Sequence, residues 1–289
     1  MGLYRLAAIA ALCVYAIALA SPANAAAQMR IVSLAPSVTE TLFALGAGPE
    51  VVGVSQYCDY PPQVRDLPRV GSFLTPNLEA IIALRPTLVV GLELSSDVRE
   101  IRALNSMGYP VLLVSDDSVQ QIETSIEKVG ARIDRQDDAH RLVAQIQSQI
   151  AAIQERLANA KPLRALMLVG HQPVVAVGPG TYLDELMRIA RAENIADAVG
   201  QQWPHLSMEF VIAMRPEVVL DGAMGTDQSS SSSFWEKYPT IPAVRDHRVY
   251  GYAEDPMLHA GPRVGQSLEI IARKIHPEAW DRETVGADK

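Results

Sequence analysis

The sequence predicts an α/β protein of two Rossmann-like lobes joined by a single long helix. Three observations predict it. Strand and helix patterns alternate along most of the chain, as in parallel sheets with crossover helices. One segment occurs twice: residues 78–90 read LEAIIALRPTLVV and residues 208–220 read MEFVIAMRPEVVL. Between the copies, residues 119–160 show helical spacing with no strand pattern and no proline.

Six of the thirteen aligned positions are identical: Glu79/Glu209, Ile82/Ile212, Ala83/Ala213, Arg85/Arg215, Pro86/Pro216 and Val89/Val219. A large aromatic, Phe73 or Trp203, lies six residues before each Glu. A separation of 130 residues is too wide for a solenoid and fits two similar lobes. An aromatic and a carboxylate at the same place in each lobe suit a ligand held between lobes better than one catalytic centre.

The elements follow in order. Residues 30–34 read as a strand, and Ser37-x-x-Glu40 as a capping box opening a helix that stops near Gly46. A strand at 51–55 leads into a loop punctuated by Pro61-Pro62. Pro76 suits the first turn of a helix running to Leu84, which Arg85-Pro86 ends. A strand at 88–92, a helix at 97–107 and a strand at 111–115 complete a lobe over 30–118. In the linking region, 119–160, Gly130 to Asp134 break the helical pattern in two. The second piece, 136–160, would be roughly 37 Å long and joins the lobes as a rod. The lobe at 161–289 then carries strands at 164–169, 218–221 and 248–251 and helices at 181–191, 207–214 and 262–275. Ser229–Ser233 form a polar low-complexity loop.

Residues 1–25 read as a secretory signal peptide. Arg5 gives a positive start, residues 6–20 an uncharged apolar run, and Ala23-Asn24-Ala25 a cleavage site. The run falls short of the roughly 20 residues that span a bilayer, and Cys13, behind Leu12, has no lipidation context. The full chain carries a net charge of −8, and loss of Arg5 takes it to −9. Such an acidic product suits neither nucleic acid nor an anionic membrane surface. Cys58 is then the only cysteine, so no internal disulfide is expected. The chain has no P-loop, no GxSxG elbow and no HExxH, and its six histidines are scattered. An exported enzyme using Cys58 is the remaining catalytic alternative, and CDYPP offers no recognised nucleophile context for it.

From Arg30 onward the stretches RIVSLAPSVTETLFALGA, VVGVSQYCDYPP, NLEAIIALRPTLVV, GPGTYLDELMRIARAENI, QWPHLSMEFVIAMRPEVVL and DPMLHAGPR are similar to one family. They resemble the class III periplasmic solute-binding proteins of ABC importers, the Fe/B12 periplasmic-binding domain, and within it most nearly the cobalamin (vitamin B12) receptors. The resemblance implies two α/β lobes bridged by a long helix, a periplasmic monomer, and no catalysis. It implies a ligand held between the lobes, cobalamin or another corrinoid, with haem or a ferric siderophore as the alternative. It also implies a partner, the inner-membrane ABC permease dimer with its ATPase.

Several residues then acquire expected roles. Tyr57, in the loop after a strand, matches a pocket aromatic of the cobalamin receptors, whereas Tyr60 reads as structural. Phe73 and Trp203 match pocket aromatics that would grip a planar macrocycle from opposite lobes. Asp255 and His259 lie in DPMLHAGPR; the Asp matches, and His259 stands where Arg is usual. A histidine there also suits haem iron. Leu92 and Val175 stand where aromatics are expected, and His171 ends a predicted strand. The resemblance assigns Glu79 and Glu209 to permease docking, one acidic residue per lobe meeting permease arginines.

Overall fold

The computed structural model describes residues 29–222, 233–252 and 255–280, apart from the side chains of Asp255 and Leu258. The expected signal peptide and Ser229–Ser232 lie outside the described residues.

The first sheet is built from β1 (Ile31–Ser33), β2 (Val51–Val54), β3 (Leu88–Leu92) and β4 (Val111–Val114), in the order β2-β1-β3-β4 with every pairing parallel. Its crossovers carry α1 (Pro36–Ala44), α2 (Leu78–Ala83) and α3 (Arg99–Ser106). Two helices follow, α4 (Val119–Arg132) and α5 (Gln136–Arg156). The second sheet contains β5 (Leu163–His171), β6 (Val174–Ala176), β7 (Ala192–Asn194), β8 (Val218–Asp221) and β9 (Val249–Gly251). Its order is β6-β5-β8-β9, with β7 also pairing β5, and only β6 runs antiparallel. The helices of this half are α6 (Tyr182–Ile189), α7 (Met208–Met214), α8 (Pro242–Arg245), α9 (Asp255–Leu258) and α10 (Val264–Ile275).

The expected alternation is present, with local differences. Ser37 and Glu40 do not form a capping box: the N-cap of α1 is Ala35, with no side-chain cap. Both polar side chains are committed to distant partners instead. Pro76 precedes the cap of α2, which is Asn77. Strands β6 and β7, of three residues each, are not among the strands expected from the sequence. The break between α4 and α5 falls at residues 133–135, where Asp134 takes a left-handed φ of 58°. Helix α5 stops at Arg156; its 21 residues span about 31 Å.

Apolar periodicity places α4 and α5. Ile122, Ile126 and Val129 are buried on α4, and Val143, Ile146, Ile150 and Ile153 on α5. The helices pack against each other, and α5 also packs on α10. Gly130 permits the close approach, because a Cβ there would lie 2.5 Å from that of Ala139. One apolar cluster runs from Ile31 and Val90 of the first sheet, through Ile146 and Ile150, to Met167 and Leu220 of the second. The outer face of each sheet has its own smaller cluster. Truncating Ile146 to Ala should therefore cost about 3 kcal/mol; urea unfolding measures it, and a cost below about 1 kcal/mol would mean that α5 is not held by this packing.

Candidate functional site

In open parallel sheets ligands sit beyond the carboxyl ends of the strands, where the strand order reverses. Here the first sheet reverses between β1 and β3. The segments leaving the strand ends carry most of the residues singled out by sequence.

The repeated segment folds the same way twice. Asn77 accepts the Ala80 N–H at 3.0 Å, and Ser207 accepts the Phe210 N–H at 3.2 Å, capping α2 and α7. Glu79 and Glu209 occupy the second position of each helix and are exposed. Arg85 and Arg215 end the segments in left-handed conformations, φ 47° and 53°. The Thr87 and Glu217 N–H groups then donate to the Arg30 and Arg164 carbonyls, each at 2.8 Å. Strands β3 and β8 follow, each parallel to the first strand of its half. The Glu209 carboxyl is held below the ordinary carboxylate range by its own backbone N–H and the Ser207 hydroxyl.

Tyr57 lies in the turn after β2 and is 56% exposed. Its loop is tied to that of Phe73, because the Gln56 N–H donates to the Gly71 carbonyl at 2.7 Å. A Ser72–Thr75 turn holds partly buried Phe73. Trp203 is 47% exposed, yet its backbone is pinned: the N–H groups of Ala176 and Gly178 donate to the Pro204 and Gln202 carbonyls at 3.0 and 2.8 Å. Gly178 is required there, since a Cβ would lie 1.9 Å from the Gln201 carbonyl oxygen. Among the described residues no ring contact joins Tyr57, Phe73 and Trp203.

His259 faces the other half of the molecule. Its Nδ1 lies 2.9 Å from Oε1 of Glu40, on α1. Arg263 donates to the same carboxylate through Nε at 2.7 Å and Nη2 at 2.5 Å. The Glu40 side chain is 1% exposed. The Arg263 guanidinium lies 3.9 Å from the ring centroid of Tyr60, a cation–π contact. That contact agrees with a structural role for Tyr60. Asp255 opens α9; its side chain lies outside the described residues.

Nearby, Ser37 donates to Asp116 at 3.2 Å, Tyr182 donates to the Met257 carbonyl at 2.5 Å, and the Val119 N–H donates to Glu185 at 2.8 Å. Leu92 and Asp116 line a small cavity with Ser37, Ser115, Ser125 and Gly261. Burial pushes Asp116 up to about 6, against the opposing pull of the Ser37 hydroxyl, and burial likewise raises Tyr182.

His171 is bonded through Nε2 to both oxygens of Asp221, at 2.9 and 2.8 Å. Trp235 Nε1 donates to Asp221 at 2.7 Å, and Phe234 stacks on the imidazole at 4.2 Å between centroids. Val175, on β6, pairs with Gly170. Cys58 is buried against the Thr39 and Ser55 hydroxyls, and burial raises its thiol pKa, which keeps thiolate scarce. No group of three or more metal-ligating side chains exists among the described residues.

A family model described as periplasmic binding protein matches residues 31–256. The chain belongs to the periplasmic binding protein family. Members of this family are binding proteins rather than enzymes. The vitamin B12-binding protein of Pectobacterium atrosepticum is 28% identical over 255 residues, covering 86% of this chain and 89% of the relative. The apo periplasmic heme-binding protein of Roseiflexus sp. RS-1 is 30% identical, with a TM-score of 0.78 over 87% of this chain and 99% of its own. The vitamin B12-binding protein of Vibrio cholerae shares the fold, with a TM-score of 0.76 at 24% identity over 86% of this chain and 97% of its own.

Sequence reasoning missed Glu40, Asp116, Asp221, Arg263 and Trp235 as parts of the site region. Local spacing carried no signal, because the partners of Glu40 are 219 and 223 residues away.

Asp116 makes stability pH-dependent in a definite direction. The folded group keeps its proton to about pH 6, whereas the ordinary value is 3.8. Between these values the folded state binds more protons, so stability falls as pH rises. Asp116→Asn should remove that loss, on the order of 2 kcal/mol. Urea unfolding of both proteins at pH 4 and 7.5 measures it; equal slopes for the two would disprove it.

Proposed function

We propose that this protein is the substrate-binding component of an ABC importer, capturing a corrinoid, cobalamin above all, between two lobes and handing it to an inner-membrane permease dimer with its ATPase. The observation that carries the reading is near-full-length agreement with vitamin B12-binding relatives, which for that of Yersinia pestis extends over 95% of both chains. In this reading residues 30–118 and 161–289 are the lobes and 119–160 the link. The N-terminal 25 residues direct export to the periplasm, where the protein acts as a monomer and catalyses nothing.

Tyr57, Phe73 and Trp203 are the proposed ligand platform. Rings that are exposed (Tyr57, Trp203) or partly buried (Phe73) on hydrogen-bonded loops can bury a macrocycle with little loss of conformational freedom. Asp255 and His259 are proposed to complete the site from the C-terminal lobe. His259 is held there by Glu40. Glu79 and Glu209 are the proposed permease contacts, since they hold equivalent exposed positions in the two halves. The second reading is a haem receptor, or more broadly one for iron chelates such as ferric siderophores. The 30% identity to the Roseiflexus heme-binding protein supports it. Use of Cys58 by an exported enzyme is disfavoured by the burial of its thiol.

Calorimetric titration with cyanocobalamin, and separately with haemin, tests the reading. Saturable one-to-one binding of cyanocobalamin is expected, weakened roughly tenfold or more by Trp203→Ala. Tight haemin binding without cyanocobalamin heat would move the protein to the second reading, and silence with both would remove both ligands. The packing of α5 on α4 and α10 also predicts little opening. Crystal structures with and without ligand should differ by a lobe rotation under about 20°, and a larger one would contradict the rod.

A further inference from the structure

The two copies of the repeat agree at exposed positions as well as at buried ones. Three of their six shared residues form an exposed strip in both copies: Glu79, Ala83 and Arg85 in the first, and Glu209, Ala213 and Arg215 in the second, with Ile82 and Ile212 beside them. Both glutamates, both alanines and both arginines are exposed and Ile212 is 37% exposed, whereas Ile82 is partly buried against the outer cluster of the first sheet. Four buried or partly buried helix positions have changed. Buried Ile81 becomes Val211, and partly buried Leu78, Ala80 and Leu84 become Met208, Phe210 and Met214. Packing constrains inward positions and leaves exposed ones nearly free. Shared packing therefore accounts for Pro86/Pro216 and Val89/Val219, which are buried in both copies, and for Ile82 in the first copy, and not for the exposed Glu, Ala and Arg pairs.

The arginines carry the point further. Each sits just past its helix in a left-handed conformation, a position that ordinarily goes to glycine because a side chain is sterically disfavoured there. Neither guanidinium has a hydrogen-bond or ion-pair partner among the described residues. The chain thus accepts an unfavourable backbone twice while neither side chain gains a hydrogen bond or ion pair among the described residues.

We propose that the strip is a two-point docking epitope, in which Arg85 and Arg215 pair with acidic groups, and exposed Ile212 fills an apolar contact, on a twofold-symmetric membrane permease. It rests on the docking role proposed above for Glu79 and Glu209 and extends it. Each half offers an anion near the start of its helix and a cation beyond its end. A partner with the opposite order of charges fits both halves only when its own two subunits present the same pattern. Charges of both signs fix orientation as well as attraction, so a reversed approach places like charges together.

The test compares two double variants by association with the inner-membrane permease–ATPase complex in lipid nanodiscs. Arg85→Gly with Arg215→Gly suits the left-handed backbone, so its urea midpoint should be unchanged or higher and its cyanocobalamin titration unchanged. Its association should weaken about tenfold or more, with a shallower salt dependence. Glu79→Ala with Glu209→Ala tests the underlying docking role. Loss with the glutamate variant and wild-type association with the arginine variant would overturn the extension alone. Wild-type association with both would overturn the docking reading too. A fall in stability on introducing glycine would show that the arginines serve the fold, and would also overturn the proposal.

Discussion

The carboxylate of Glu40 is the constraint on which the arrangement of the two halves depends. It is buried, it comes from the first helix among the described residues, and its partners His259 and Arg263 come from the last quarter. A charge in that place is tolerated only while its partners stay in position, since an unpaired buried charge is far costlier than a paired one. The contact is also specific in direction. Arg263 grips the carboxylate through two nitrogens, and its guanidinium meets Tyr60. Small shifts of α1 against α10 would break several charge-assisted bonds at once.

Near this contact lie further polar pairs. Ser37 meets Asp116 within the first half, Tyr182 meets Met257 within the second, and Glu185 of the second half accepts the first N–H of α4. Away from it the contacts are apolar, through α4, α5 and α10. The exposed aromatics stand outside both zones. Among the described residues neither Tyr57 nor Trp203 makes a hydrogen bond or ring contact to the other half, and the backbone beside each is fixed within its own half. Under the proposed function, stability and recognition fall to different residues, apart from His259, which the site shares with the clamp.

Legibility in the sequence followed the range of the interaction. The repeat, the break at Gly130–Asp134 and the apolar faces of α4 and α5 were readable because each is set by residues within a few turns. Strand ends shifted by a residue or two, where hydrogen bonding and apolar pattern part company. The capping box failed for a physical reason. Ser37 and Glu40 have the right spacing, but distant Asp116 and Arg263 offer stronger partners than the local backbone. Asp221 likewise reads as an ordinary strand end until the fold brings His171 and Trp235 to it. Long-range polar contacts leave no period behind, so a single sequence does not announce them.

Helix α10 supplies the last large piece of the shared core, and it lies near the end of the chain. Until it emerges from the ribosome, α5 has no partner for the face it later packs on α10, and Glu40 has neither His259 nor Arg263. A chain built this way delays its own completion during synthesis. For a protein proposed to cross a membrane as an extended thread, that delay is useful: the same late contacts that lock the finished molecule keep the nascent one translocatable.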